Sequence, residues 1–282
     1  MTRSNTASSD MTVIDLRDGA NAVRALTSRL LAAEGRLDAE KPLGLYFVPS
    51  DSEFSPLAHL VEREVFLAWF DNDAATMDRE YGPFEAASEF LLCIDHHRRE
   101  PAGMVRLLRP NGLGLKTLID VAVAPSWGAS QADFLAHHRP AGGMDAVVDI
   151  ASLAVRSAWT GRAASQVSQA LYAGLYRWSI SNSTELLVGA LDSAVFELLT
   201  ALGIPIRPLC GLPAAEYLGS PSTTPIVISV SEARRRMRVE PELRALLLGE
   251  DLEPDYSMPP IVLGGRVVDV RRHLFADPTP PR

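Results

Sequence analysis

The chain has 282 residues, 47% of them hydrophobic and 22% charged, with 27 basic and 35 acidic side chains giving a net charge of −8. This composition supplies a sizeable core and excludes a wholly disordered chain. The acidic balance argues against nucleic acid or an anionic membrane surface as partner.

Residues 1–10 are polar. Val23, Leu26, Leu30 and Leu31 then follow helical spacing, and Gly35 can stop that helix. LGLYFVP at 43–49 reads as a strand ended by Pro49. Ser55 followed by Pro56 suits an N-cap and first turn for SPLAHLVEREVFLAWF, whose apolar face is Leu57, Leu60, Val61, Val65 and Phe66. EFLLCID (89–95) and GMVRLLR (103–109) read as two strands joined as a hairpin. The stretch 110–144, rich in Pro and Gly, reads as loop. A strong strand, AVVDIASLAV (146–155), leads through a turn into the amphipathic helix SQVSQALYAGLYRWSIS. ELLVGAL (185–191) is a strand and AVFELLTALG (194–203) a helix closed by Gly203. IPIRPL and TTPIVISV supply two more strands. SEARRRMRVEPELRALLLG is a charged helical segment that Pro241 breaks in two, and Gly-Gly within IVLGGRVVDV predicts a hairpin over 259–270.

The alternation predicts an α/β (α+β) chain, a mixed central sheet flanked by helices, with an N-terminal helix and a C-terminal extension. The expected organisation is a polar tail and helix over 1–40, a main domain over 41–230, and a helical segment with hairpin tail over 231–282. No apolar run approaches the ~18 residues of a membrane span, and MTRSNTASSD lacks the apolar core of a signal peptide, so a cytoplasmic protein is expected. Cys93 and Cys210 make no metal-binding or disulfide pattern and read as reduced, buried thiols. His96-His97 and His137-His138 read as solvated loop residues, and no metal site is expected.

The stretch with most chemistry in it is the turn at Thr160–Ser165. A strand feeding a Gly-containing turn and then a helix gathers unpaired N–H groups and the positive end of a helix dipole, a ready anion site. Gly161, Ala163, Ala164 and Ser165 allow close backbone approach and Arg162 adds charge; a purely structural corner has the same look. The turn is neither G-x-x-x-x-G-K-[ST] nor G-x-G-x-x-G. Asp149 alternates with Val148 and Ile150 in an apolar strand. Such an acid is costly unless bonded or functional, so it is either a base or water-orienting group, or a buried structural Asp.

LAVRSAWTGRAASQVSQAL (153–171) resembles the pyrophosphate-binding segment of the GNAT acyltransferase superfamily, R-G-x-G-x-[GA] opening a long helix after a strand. Thr160 stands at the place of that Arg, and Ala163 and Ser165 at the later glycines. LDSAVFELLTALGI is similar to the next element, with Asp192 at an Asn and Gly203-Ile204 at Gly-Phe. Within the superfamily the first half resembles the branch of acyl-homoserine-lactone synthases and N-acyl amino acid synthases. Arg63, Phe66 and Trp69 match its R-x-x-V-F…W helix, and Arg106 its G-x-x-R-L-L strand. Asp149 stands at the Glu of E-x-S-R-F-A-V, with Ala151 and Ser152 in place of Ser-Arg.

The resemblance implies a GNAT-like fold and an autoinducer-synthase-like N-acyltransferase. Its donor would be acetyl-CoA or a longer acyl-CoA, or an acyl-carrier protein, and its acceptor a small-molecule amine. It implies Asp149 as the catalytic group. Leu153, Ala154, Val155, Thr160, Gly161, Arg162, Ala163, Ala164, Ser165 and Asp192 would hold the cofactor. Arg63, Phe66, Trp69 and Arg106 would hold the substrate, the arginines through a carboxylate or the acidic loop, the aromatics along the acyl chain. The alternatives for these four are an ion pair with Asp71 or Asp73, and plain core. Many superfamily members place a Tyr acid where this chain has Leu199. A homodimer is an expected assembly. The rival readings are a non-catalytic acyl-CoA or fatty-acyl binding module, and an interaction protein using the hairpin 259–270.

Overall fold

The computed structural model describes residues 19–250, Leu252, 255–257 and two short strands at 261–263 and 266–268. The polar segment 1–10 lies outside the described residues. In chain order the helix α1 (Gly19–Ala33) precedes strand β1 (Leu43–Pro49) and helices α2 (Ser55–Phe70) and α3 (Ala74–Tyr81). Strands β2 (Ser88–Asp95) and β3 (Glu100–Leu108) follow, then α4 (Lys116–Val123), α5 (Gln131–His138) and β4 (Val147–Val155). The second half runs α6 (Gly161–Ser181), β5 (Leu186–Asp192), α7 (Ser193–Ala201), β6 (Ile206–Pro208), β7 (Ala215–Tyr217) and β8 (Ser220–Ser229). Helices α8 (Val230–Arg236) and α9 (Pro241–Leu248) lead to β9 (Asp255–Ser257), β10 (Ile261–Leu263) and β11 (Arg266–Val268). The last two pair antiparallel, the hairpin that Gly-Gly predicts.

One mixed sheet organises the chain, in the order β6-β8-β5-β4-β3-β2-β1-β9 with β7 on β8. Both faces are covered, so the central strands read as continuous apolar runs. Leu45, Leu91, Val105, Leu107 and Val148 face α6, α8 and α9. Tyr46, Phe90, Leu92 and Met104 face α1 and α2. Val147, Leu186 and Val188 face α4 and α5. The long α6 lies flush on the sheet because Gly103 and Gly174 leave no side chain between them. A Cβ on Gly174 would stand 2.6 Å from Leu45, and one on Gly103 2.8 Å from Val167.

Two irregularities shape the middle of the sheet. Opposite Arg106 and Leu107, β4 carries one extra residue, Ala151, a bulge that resets which residues face which side. Ile150, Leu153 and Val155 therefore pack toward α6, while Ala154 packs toward α2. The parallel pairing of β4 with β5 covers only Val147–Ile150 against Leu186–Gly189. Beyond it both strands continue without pairing to each other, β4 to Val155 and β5 to Asp192.

The structure corrects four expectations. The stretch 110–144 holds α4 and α5, each two turns long. Leu118 and Val121 are buried from α4, and a reciprocal Ser130–Asp133 capping box starts α5. Phe54 takes the N-cap place of α2, with Ser55 already inside the helix. His96 is buried: its Nδ1–H donates to Lys41 O and its Nε2 accepts from Tyr46 Oη, each at 2.7 Å. Cys93 is buried, but Cys210 is half-exposed in a turn. Among the described residues no helix is long and apolar enough to cross a membrane.

Arg106 locks this architecture. It is 1% exposed and grips Glu62 with two bonds of 2.9 and 2.7 Å, Glu85 at 2.8 Å and Ser88 at 2.7 Å. Arg63 is paired only with Asp78 at a partly exposed site. Arg106→Leu strands two carboxylates and should cost about 3–5 kcal/mol in urea unfolding. Arg63→Leu should cost under about 1 kcal/mol.

Candidate functional site

A cavity passes through the sheet where β4 and β5 part. Ile150–Leu153 line one side and Gly189–Asp192 the other. On the α6 face its walls are mainly apolar, Leu175 of α6, Leu199 of α7, Ala233 of α8 and Leu247 of α9, with Tyr172 and Tyr176 of α6 among them; the Tyr176 hydroxyl is buried with no hydrogen-bond partner among the described residues. On the opposite face Phe66, Phe70, Tyr81, Lys116, Thr117 and Tyr217 close it. The result is a passage with an apolar arm and a polar, aromatic arm.

Backbone polarity in the gap follows from the β3–β4 ladder. Arg156 N–H bonds Ala102 O at 3.0 Å, and antiparallel strands alternate the side to which each residue turns its N–H and C=O. Ser152 and Ala154 therefore turn to β3, and the N–H groups of Leu153 and Val155 point into the space β5 has left. Tyr81 Oη donates to Ala151 O at 3.0 Å, fixing the bulge from the polar side.

Asp149 sits two residues before the bulge and is fully buried. Its carboxylate accepts from Thr117 N–H at 2.6 Å and from Thr117 Oγ1–H at 2.7 Å. Burial pushes the acid up to about 6, against the two Thr117 bonds and Lys116, which pull it down. Asp149 itself does not line the cavity; Thr117 does, and stands between the carboxylate and the open space. Next to it Lys116, 3% exposed, donates to Asp120 at 2.6 Å and to Glu80 and Tyr217 Oη at 3.1 Å. Tyr217 donates in turn to Asp120.

The expected site residues divide sharply. Phe66, Leu153 and Asp192 line the cavity, and Asp149 backs it through Thr117. Asp192 caps α7, accepting from Ala194 N–H at 2.9 Å and from Ser220 Oγ at 2.7 Å. Trp69 is 72% exposed and stands outside the cavity lining. Arg63 and Arg106 are committed to Asp78 and to Glu62 and Glu85, so neither presents a guanidinium to the cavity. Their partners are not the expected Asp71 and Asp73; Asp73 caps α3 through Thr76 N–H instead. Thr160, Gly161, Arg162, Ala163, Ala164 and Ser165 form the first turn of α6, all exposed except the half-buried Ala164. Gly161 has φ +54° and nothing lies within 4 Å of where its Cβ would stand, so this corner is open. Ala154 faces away, into the α2 core.

The sequence reading missed Thr117, Lys116, Tyr81 and Tyr217. One signal was present: Lys116 is one of only two lysines in an arginine-rich chain and sits inside the apolar run LGLKTLID. Among the described residues no group of His, Cys, Asp and Glu could hold a metal ion.

No family model matches the sequence, and no curated protein sequence matches it. Solved structures do. The chain is similar to the CoA-dependent acyl-homoserine lactone synthase BjaI, with SAM and isopentyl-CoA: 13% identity, 83% of this chain and 100% of that one, TM-score 0.47. It is similar to the AHL synthase LasI at 12% identity over 73% and 95% of the two chains, TM-score 0.47. It is also similar to FeeM, an N-acyl amino acid synthase from uncultured soil microbes, at 12% identity over 70% and 95%, TM-score 0.49.

The Asp149 carboxyl binds its proton more tightly folded, at about 6, than unfolded, near 3.8. Its contribution to stability is therefore complete below about pH 4 and lost as pH rises through 6. Relative to wild type, Asp149→Asn should gain on the order of 2–3 kcal/mol between pH 4 and pH 7. Chemical unfolding at four pH values checks this; a pH-independent difference contradicts a raised acid at this position.

Proposed function

We propose that the protein is an N-acyltransferase that moves an acyl group from an acyl-CoA thioester to an amine. One observation carries the reading: a passage through the sheet that is apolar on one side of the β4–β5 gap and holds a Thr117–Asp149 pair on the other. Such a passage separates a thioester's chain from an amine's approach and lets the two meet at the gap.

The residues fit the donor. The open corner at Gly161 stands outside the cavity lining, a short turn beyond the end of β4; its exposed first-turn backbone, with Ala163 N–H already bonded to Thr160 O, and Arg162 beside it suit a diphosphate. The N–H groups of Leu153 and Val155 suit a thioester carbonyl, whose oxygen gains charge during attack. The apolar arm suits an acyl chain longer than acetyl. An acyl-carrier protein carries no diphosphate to place at that corner, which favours CoA.

The bound acyl-CoA supplies an activated acyl carbon with a thiolate leaving group. The chain's residues supply the rest. Asp149 is ionised above about pH 6, and the Thr117 hydroxyl hands it a proton while taking one from the incoming ammonium. The amine's lone pair then forms the N–C bond, the C–S bond breaks, and the second proton that nitrogen must lose passes through water to the departing thiolate. Leu199, apolar and at the cavity wall, leaves that last step to water. Leu199 and the recessed Asp149 also favour a second reading, a module that binds acyl-CoA without turning it over.

Purified protein incubated with acetyl- to palmitoyl-CoA and an amine panel should release free thiol in an amine-dependent manner. Asp149→Asn should lower kcat by about 10²–10⁴-fold, and the wild-type rate should fall below about pH 6. Folded protein that binds acyl-CoA in calorimetry yet releases no thiol selects the second reading. Leu247→Trp fills the far end of the apolar arm. It should raise KM for palmitoyl-CoA at least about tenfold while sparing acetyl-CoA, since a filled pocket rejects excess methylenes.

A further inference from the structure

The polar arm of the cavity says which amines fit, and this inference rests on the acyltransferase reading. Any acceptor with a carboxylate needs a cation to meet it, because an unpaired charge is costly away from water. Among the described residues the cavity lining holds one cationic side chain, Lys116. An ammonium has three N–H groups, and all three are spent, on Glu80, Asp120 and Tyr217 Oη. The Arg106 guanidinium, behind Tyr81, is held by Glu62, Glu85 and Ser88 and is 1% exposed. Each of these cations is thus shared by two carboxylates, of which Glu85 also meets His59 at 2.9 Å; Asp149 adds a fifth acid behind the wall, and Asp192 a sixth on the lining itself.

The field in this arm is therefore negative, and an entering carboxylate meets like charge. The arm's other walls are aromatic. Phe66 lies 5.6 Å from Phe70 and 6.4 Å from Tyr81, ring to ring. Tyr81 and Tyr217 face Lys116 at 5.2 and 5.6 Å. An aromatic face takes an apolar body and also attracts an ammonium; Arg106 already lies 5.0 Å from the Tyr81 ring, which leaves Phe66 and Phe70 for the amine.

We infer that the acceptor is a primary amine with an apolar or aromatic body and no carboxylate, and that the Glu80–Lys116–Asp120 cluster excludes amino acids. Lys116 in this arrangement neutralises part of the wall without offering a donor to a substrate. The rejection is electrostatic, so the neutral amide of an amino acid, matched to it in size, should be acylated better than the amino acid itself.

The test uses matched pairs that differ only by the carboxylate: phenethylamine and phenylalanine, tyramine and tyrosine, isoamylamine and leucine. Each is incubated with the full-length protein and an acyl-CoA, and the amide is measured by mass spectrometry. The expected result is a kcat/KM at least about 100-fold higher for the amine of each pair, the scale set by juxtaposed like charges. Equal or greater acylation of the amino acids overturns the inference and leaves the acyltransferase reading intact.

If no acyl-CoA is turned over with either class, the acyltransferase reading fails, and calorimetry decides the cavity's preference by itself. Phenethylamine binding with none for phenylalanine supports the inference; equal binding overturns it. The double variant Glu80→Gln, Asp120→Asn frees Lys116 and should raise the activity or binding of phenylalanine at least about tenfold. Glu80→Gln alone serves if the double variant unfolds, with a smaller gain. No gain in a folded variant counts against the cluster as the selective element.

Discussion

The parting of β4 from β5 after Ile150 and Gly189 is the constraint on which the site depends. A parallel sheet covered on both faces normally has no opening at its centre, because each strand satisfies its neighbour's N–H and C=O groups. Here β5 keeps its full ladder with β8 while its partner on the other side leaves. The opening is therefore lined by backbone donors of β4 that have lost a strand. It also joins the two layers of core that a continuous sheet would keep apart. An apolar arm and a polar arm can meet in one cavity only because the sheet is split.

The bulge at Ala151 makes the split usable. Without an extra residue, Asp149 and Leu153 would share a face, and Leu153 would stand in the polar arm. With it, Asp149 points toward α4 and Leu153 toward α6. Two ionic clusters hold the polar side in place around this kink. Glu62 of α2 takes Arg106 of β3 and also the Ser152 hydroxyl of β4. Glu80 of α3 takes Lys116 of α4. Buried pairs of this kind add little net stability over apolar residues of the same size, but losing one partner is severe. They fix helices α2, α3 and α4 on the sheet in a single arrangement.

Much of the scaffold was legible in the sequence because it is written in local patterns. The apolar runs of the inner strands, the helical spacing of Val167, Leu171 and Leu175, and Pro241 at the start of α9 act within a few residues. The open turn at Gly161 was legible for the same reason. The polar arm was not. Lys116 meets Tyr217 across 101 residues of sequence, and Thr117 meets Asp149 across 32. Neither α4 nor α5 is long enough to show a period, so the segment that supplies Thr117 read as loop. Arg106 matched a motif, yet its role is set by Glu62 and Glu85, which no spacing ties to it. Trp69 shows the reverse, a residue at an aromatic motif position that the fold leaves on the outside.

The acid-rich arm sets a chemical condition on its own base. Negative surroundings stabilise an ammonium and so make the amine harder to deprotonate, and an amine must lose its proton before its lone pair can attack. A carboxylate titrating in its usual range would be a poor acceptor for that proton. Burial raises Asp149 to about 6, with Asp120 adding to the rise, which narrows the gap between base and substrate. Lys116 and the two Thr117 bonds pull the other way, and Asp120 offsets part of their pull. Thr117 links the two, since its hydroxyl reaches the cavity while its backbone N–H keeps the carboxylate aligned. On the proposed reading the two properties have separate origins: selectivity for the amine in the carboxylates behind one wall, and strength of the base in the burial of Asp149.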